Sequence, residues 1–404
     1  MRILFLSPRQ PLPARSGAKL REYHFLRALG QAGEVTYLYF SDPGAAPLTQ
    51  TDLPFCWEVV AVPKPPAYGI GKTLLGVAGP WPLPILNYTS QAMSAVVARV
   101  LGEGNYDILH LDSIHMIRYA MQAVKLCKKP PLAIYNWHNI ESEAMQRFSD
   151  TIASFSKRAY AQLTASKLEI CERQILREAY GHIVCSVRER EQLVQQAPGA
   201  RINVVENGVD TTYFGDGGSV QGETRRLVFV GAMDYFPNSD AATFFAANIW
   251  PGVRERLGAV ELTIVGSNPG RAVRELGQLP GITVTGMVPD VRPWYHGAFA
   301  AIVPLRTGAG TRLKILEAMA AGVPVISTPL GAEGLEVLHG GNILLAEPEN
   351  TQAWLDGIAL LAESEEQRTR LTEAALQLVR GKYDWEILGA KLRDTYQDWL
   401  SRDR

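Results

Sequence analysis

Cysteine, charge imbalance and long apolar runs are what this 404-residue chain has least of, and each scarcity removes a class of protein. Cys56, Cys127, Cys171 and Cys185 are its only cysteines and show no Cys-x-x-Cys pairing. That argues against a disulfide framework or a compact zinc site, and for buried thiols in a reducing compartment. Lysine and arginine number 40 against 41 acidic residues, a formal charge of −1, so no overall basic field favours nucleic acid as a partner. The apolar opening at 1–7 is too short before Pro8 for a signal peptide, and no uninterrupted apolar stretch reaches the roughly 20 residues that span a bilayer. A cytoplasmic location is the expectation. Tandem repeats and low-complexity tracts are also missing, as is a Gly-x-Gly-x-x-Gly turn after the first strand. Without that turn, a dinucleotide oxidoreductase is disfavoured.

A chain of this length outgrows one hydrophobic core, so two domains are expected, with a ligand cleft between them. Short apolar runs at 2–7, 35–39, 108–111, 132–135 and 183–185 alternate with helical patterns at 18–29 and, with an interruption, 141–179. That order predicts an α/β doubly wound domain over 1–198. Ser186 is a plausible helix cap. A second parallel-sheet domain is predicted over 199–383, with strands at 226–230, 261–265, 282–284, 300–303, 323–327 and 342–345. The stretch 204–210 reads as a short strand and turn opening this second domain, and 215–222 as a glycine-rich loop. The last segment, 384–404, predicts an amphipathic helix through Trp385, Leu388, Leu392, Tyr396 and Leu400 that needs a partner surface on the first domain. An apolar loop at 68–88 stands beside a later helical region rich in Lys157, Arg158, Lys167, Arg173 and Arg177. Such a pairing suits contact with anionic lipid as well as packing onto the core.

The densest chemistry lies in residues 303–327. Gly308 and Gly310 allow a tight turn that brings amides close to a ligand, Thr311 can cap the following helix, and amides at a helix start favour phosphate. Arg306, Arg312 and Lys314 supply charge for a diphosphate. Glu317, one turn into the helix, can accept ribose hydroxyls. Gly231 and Gly266 each follow a strand at once, and Gly17 opens the first helix, all three at strand-to-ligand turns. Residues 285–290 can present backbone groups to a base edge. His138, beyond the 132–135 strand, can relay a proton, bond a sugar hydroxyl or cap its neighbour. His110 and Asp112 end another strand and read first as structural. With His138 they offer metal-ligand types, but without a zinc spacing or an Asp-x-Asp pair no metal is assigned.

At these residues the chain resembles the retaining glycosyltransferases of family 4. The similarity is carried by Asn207-Gly-Val-Asp210, Phe229-Val-Gly231, Ile264-Val-Gly266, Gly286-x-Val288, Pro304-Leu-Arg-x-Gly-x-Gly310 and Lys314-Ile-Leu-Glu-Ala-Met-Ala-Ala-Gly-Val-Pro-Val325, joined by Gly17 and His138. The resemblance implies the GT-B fold, two facing Rossmann-like domains with the nucleotide-sugar donor on the C-terminal one and the acceptor on the N-terminal one. It implies His138, Arg306 and Lys314 as catalytic, and Gly17, Gly231, Val288, Gly308, Ala309, Gly310, Thr311, Arg312 and Glu317 as donor-binding. A hexosyltransferase needing no metal or other cofactor is implied. So is an acceptor that is a glycan or lipid-linked, used on the inner face of the cell membrane in exopolysaccharide synthesis of the exosortase-associated kind. Two family features are absent: Ala309 stands where an E-x7-E pattern has its first glutamate, and no basic pair follows Gly231. A nucleotide-sugar 2-epimerase and a noncatalytic sugar-nucleotide sensor or assembly protein remain as alternatives.

Overall fold

Apolar runs such as Ile3, Leu4, Phe5 and Leu6 are fully buried, which requires cover on both faces of the strand. Helices on either side of a parallel sheet supply it. The computed structural model, which describes residues 1–14, 16–216, 225–308, 310 and 312–403, contains two such sheets. Each sits in its own compact unit: Met1–Glu206 with Leu388–Arg404, and Asn207–Ile387.

In the first unit β1 (Arg2–Ser7), β2 (Glu34–Ser41), β3 (Glu58–Pro63), β4 (Ile108–Asp112), β5 (Leu132–Asn136), β6 (Gly181–Val184) and β7 (Ile202–Val204) form one sheet in the order β3-β2-β1-β4-β5-β6-β7. Every neighbouring pair is parallel. Strand order reverses between β1 and β4, and the crevice past their C-terminal ends is where such sheets hold ligands. Because β7 pairs with β6, the first unit runs through Glu206 rather than ending at 198, and 202–204 does not open the second domain. β3 goes beyond the expected strands. It is an edge strand whose Val59, Val60 and Ala61 are only half-buried, so its sequence lacks a clean inward face.

The expected apolar loop at 68–88 is instead the helix Ile70–Ala78 followed by the single turn Leu83–Leu86. Gly71 and Gly76 weaken helix propensity and hide the pattern. Farther on, Glu141–Thr151 and Phe155–Glu178 are two helices broken at 152–154, and Ser186 caps Val187–Gln196 through the Glu189 amide.

The second unit carries β8 (Arg225–Val230), β9 (Val260–Val265), β10 (Ile282–Gly286), β11 (Ala300–Val303), β12 (Val325–Ser327) and β13 (Leu344–Leu345), ordered β10-β9-β8-β11-β12-β13 and parallel throughout. Its reversal falls between β8 and β11. The final helix, Trp385–Asp403, begins in the second unit and ends in the first. There Leu388, Leu392, Tyr396 and Trp399 are buried. Lys391 Nζ donates to Glu206 at 2.9 Å, and Tyr180 donates to the Trp399 carbonyl at 3.0 Å.

Candidate functional site

Both switch points gather polar side chains from separate segments. In the first unit Asp112 ends β4 and Asn136 ends β5, and their register sets them side by side. Asn136 Nδ2 donates to Asp112 Oδ1 at 2.6 Å, and His138 Nε2 lies 3.0 Å from both Asp112 oxygens. His110, on the same side of β4 as Asp112, brings Nε2 to 3.8 Å, and Arg9 from the loop after β1 brings Nη1 to 3.9 Å. Burial works against ionisation of the fully enclosed Asp112, but His138, His110 and Arg9 outweigh it and hold the carboxyl well below its ordinary range. Burial also lowers His138, despite the carboxylate. The ring is therefore neutral at pH 7, with its hydrogen on Nε2 toward Asp112 and the lone pair on Nδ1.

A buried scaffold fixes this pair. Arg21, one turn into the helix Gly17–Gly30, donates to Asn136 Oδ1 from Nε at 3.0 Å and Nη2 at 2.9 Å, and to the Val205 and Glu206 carbonyls at 2.8 and 3.1 Å. That contact ties the Gly17 end of the helix to the ends of β5 and β7. Tyr37 donates to Glu22 at 2.5 Å, and burial followed by Asp112 holds Glu22 well above the usual carboxyl range. His110 is stacked on Phe5 at 3.9 Å, with Nδ1 2.5 Å from the Tyr396 hydroxyl of the final helix. Beyond Asp112 the chain turns at Ser113, whose φ is +106°, and Ser113 Oγ lies 2.6 Å from His115 Nδ1. Burial, with Arg9, His138 and Lys64 adding to it, lowers His115 to about 3. Its ring meets Tyr88 at 4.6 Å, and Lys64 Nζ lies 4.7 Å from the Tyr88 centroid.

In the second unit Gly231 directly follows β8, and the chain after β11 leads to the helix Leu313–Ala320. Ile315, Leu316, Ala318, Met319 and Ala320 face the core, which leaves Lys314 and Glu317 on the remaining side. Lys314 Nζ donates to Asn238 Oδ1 at 2.6 Å and lies 4.6 Å from the Phe229 centroid, while Asn238 Nδ2 donates to the Ala232 carbonyl at 2.8 Å. Burial and then Arg312 lower the Lys314 ammonium to about 7, against a smaller upward pull from Glu317. Among the described residues no carboxylate comes within ion-pair distance of Lys314. A Cβ at Gly231 would meet Lys314 Nζ at 2.7 Å and Asn238 Nδ2 at 2.8 Å, so a side chain there would displace the ends of both. Glu317 accepts from Tyr295 at 3.2 Å, and burial raises its carboxyl. Gly308 at φ +114° and Gly310 at φ +82° make the turn, and Arg312, nearly buried, donates to the Gly310 carbonyl.

The structure therefore brings Gly231, Lys314 and Glu317 together with Arg312 and the two glycines of the turn. Arg306 is set apart: its guanidinium is held by both Asp240 oxygens, at 3.0 and 2.5 Å, and stacks over Phe244. Val288 packs against the core of the second unit, in the loop after β10. Ala309 and Thr311 lie outside the described residues. The N-cap of Leu313–Ala320 is Arg312, with no side-chain cap bond. In the first unit His138 and the helix that begins at Gly17 share the switch point. Asp112, which reads as structural in the sequence, is the partner of His138. Arg9, Arg21, Glu22, Asn136, Asn238 and Tyr295 are absent from the sequence-derived set, and only the rule that ligands gather past strand ends marks Arg9 and Asn136. Among the described residues no group of three or more His, Cys, Asp or Glu is arranged to hold a metal ion.

Comparison with known proteins gives two matching family models. Residues 16–213 match "Glycosyltransferase Family 4" and residues 224–364 match "Glycosyl transferases group 1". A phosphatidyl-myo-inositol mannosyltransferase of Mycobacterium leprae is 24% identical over 316 residues, covering 76% of this chain and 78% of its own. Sucrose-phosphate synthase from Thermosynechococcus elongatus superposes with a TM-score of 0.74 at 18% identity, covering 100% of both chains. Anabaena HepE, solved with UDP and glucose, gives 0.68 at 16% identity over 98% of this chain and 99% of its own.

Proposed function

The chain is a family-4 glycosyltransferase of GT-B fold, and from that premise we propose that it transfers a sugar from a nucleoside-diphosphate sugar with retention of anomeric configuration. The acceptor is a hydroxyl of a glycan or lipid-linked molecule, in exopolysaccharide synthesis at the inner face of the cell membrane. One observation carries the donor assignment: Lys314 is a half-buried ammonium held by a neutral amide beside Gly231, with no carboxylate within ion-pair distance among the described residues. A diphosphate supplies the missing anion, and gains charge as it departs. HepE, which was solved with UDP and glucose, supports the same class of ligand.

In the proposed step the bond from the anomeric carbon to the leaving phosphate oxygen breaks, its electron pair going to the diphosphate. The acceptor hydroxyl attacks from the same face, and its proton passes to that phosphate. Lys314, Arg312 and the amides around Gly308 and Gly310 stabilise the departing charge, and Glu317 takes the ribose hydroxyls. In the first unit His138, fixed by Asp112, presents Nδ1 as a hydrogen-bond acceptor for a sugar hydroxyl.

Incubation with UDP-, GDP- and ADP-sugars, plus lipid-linked and soluble glycan acceptors, tests the reading. Nucleoside diphosphate release should accompany a glycan mass gain of one sugar, with NMR showing the donor's anomeric configuration in the product. Lys314→Met should lower kcat/KM by about 100-fold. A product of opposite configuration would overturn retention, and donor binding without transfer across the panel would overturn the substrate assignment.

A peripheral membrane contact is favoured by the helix Ile70–Ala78, which exposes Ile70 (83%), Leu74 (64%) and Leu75 (60%). Lys167 holds its C-terminal end by donating to the Gly76, Val77 and Gly79 carbonyls at 2.7, 2.7 and 2.6 Å.

A further inference from the structure

We infer that the first unit contains a subsite for an anionic group of the phosphate class on the acceptor, built from Arg9, Lys64, Ser113 and His115 beside the Asp112–His138 pair. The inference rests on the transfer reading in taking the bound molecule to be the acceptor.

Charge is the first argument. Among the described residues the segments around the β1/β4 crevice bring Arg9 and Lys64, besides the Arg21 already committed to Asn136 and two carbonyls, against three carboxyls. Of the carboxyls, only Asp112 is held below its ordinary range; burial raises Glu22, and it raises Glu141 against a smaller pull from Arg9. Arg9 Nη1 is buried and makes no hydrogen bond, its nearest carboxylate contact being Asp112 at 3.9 Å. Lys64 forms no ion pair among the described residues and rests on the face of Tyr88. Gln10, next to Arg9, also keeps its side-chain oxygen buried without a partner. Buried polar atoms left in this state mark a place where a ligand completes the bonding.

Continuity is the second. Lys64 touches Tyr88, Tyr88 touches His115, His115 bonds Ser113, and Ser113 follows Asp112 directly. The cations therefore belong to the same crevice as His138. Ser113 has a left-handed φ that a side-chain-bearing residue rarely adopts, and such conformations concentrate where a loop is shaped for binding. In the tautomer whose Nδ1 accepts the Ser113 hydroxyl, the His115 ring offers Nε2–H as a donor. An ammonium, a guanidinium arm and an imidazole N–H together suit a group with several anionic oxygens, so phosphate fits better than a single hydroxyl. A hydroxyl close to a phosphate on the same acceptor would then lie beside His138, where the sugar is received.

The test uses the full chain with labelled histidines. His115 ring resonances, assigned with His115→Gln, are followed by NMR as inorganic phosphate replaces chloride at constant ionic strength. A saturable displacement is expected, weakened about tenfold in Lys64→Met and restored in Lys64→Arg. A displacement of equal affinity in Lys64→Met, or an unmoved His115, would overturn the subsite. A soluble hexose phosphate and phosphatidylcholine vesicles with or without phosphatidylglycerol form parallel arms, and the arm that depends on Lys64 identifies the source of the phosphate. The donor and acceptor panel reads transfer separately. Phosphate at His115 without transfer defeats the transfer reading alone, and transfer with His115 unmoved defeats the subsite alone.

Discussion

If Lys314 holds the donor as proposed, its titration makes donor binding a proton-linked event. Its ammonium is lowered to about 7 from an ordinary 10.5. Between those values the unfolded chain holds the proton and the folded chain does not, so stability rises with pH across that window. Below pH 7 the fold carries a buried charge. A bound diphosphate favours the charged form, so binding above pH 7 takes up a proton and affinity falls as pH rises. Calorimetry with UDP or GDP in two buffers of different ionisation heat should report that uptake, and Lys314→Arg, charged throughout, should flatten the pH dependence. Lys314, Glu317 and Gly231 are legible in the sequence because two of them share one helical turn and the third follows a strand. Asn238 and Tyr295 are not, since they arrive from helices whose own sequences give no sign of a ligand. Arg306, close in sequence to Arg312 and Lys314, pairs instead with Asp240 of the helix Phe236–Asn248, a partner its own segment does not announce.

At the scale of elements, buried central strands were the most legible, because a run covered on both faces is apolar throughout. β3 and the helix Ile70–Ala78 escaped for a common reason: both are half-exposed, and a half-exposed segment broken by glycine or bounded by proline shows no clean period. That exposure makes the helix testable. Ile70, Leu74 and Leu75 with Lys72 on the same short segment should bind anionic vesicles, and the double change Leu74→Glu, Leu75→Glu should abolish cosedimentation while leaving the melting temperature nearly unchanged, because these side chains are outside the core. Equal sedimentation of the variant would remove this helix from any membrane contact.

For the molecule as a whole, the two-sheet plan follows from length and from the alternation of strands with helices, but the boundary between units does not. It depends on β7 pairing backward with β6 and on the last helix contributing to the first unit, and pairing partners are not written in either segment. The helix also matters energetically. Removal of 388–404 takes Leu388, Leu392, Tyr396 and Trp399 out of the first unit, at about 1.5–3 kcal/mol for each buried side chain, a loss comparable to the whole stability of a typical domain. Hydrogen exchange on that truncated chain should show rapid exchange in β4 and β5 with protection retained in β8 and β9.

The first unit is thus made from both ends of the chain, with the second unit inserted between them. On a ribosome its first 206 residues emerge well before the segment that finishes them, and all of the second unit is synthesised in the interval. Tyr396 follows all of the second unit in the chain, so His110 lacks its hydroxyl partner until that unit has been synthesised. The surroundings of Lys314 in the second unit can therefore form before those of the Asp112–His138 pair in the first are complete.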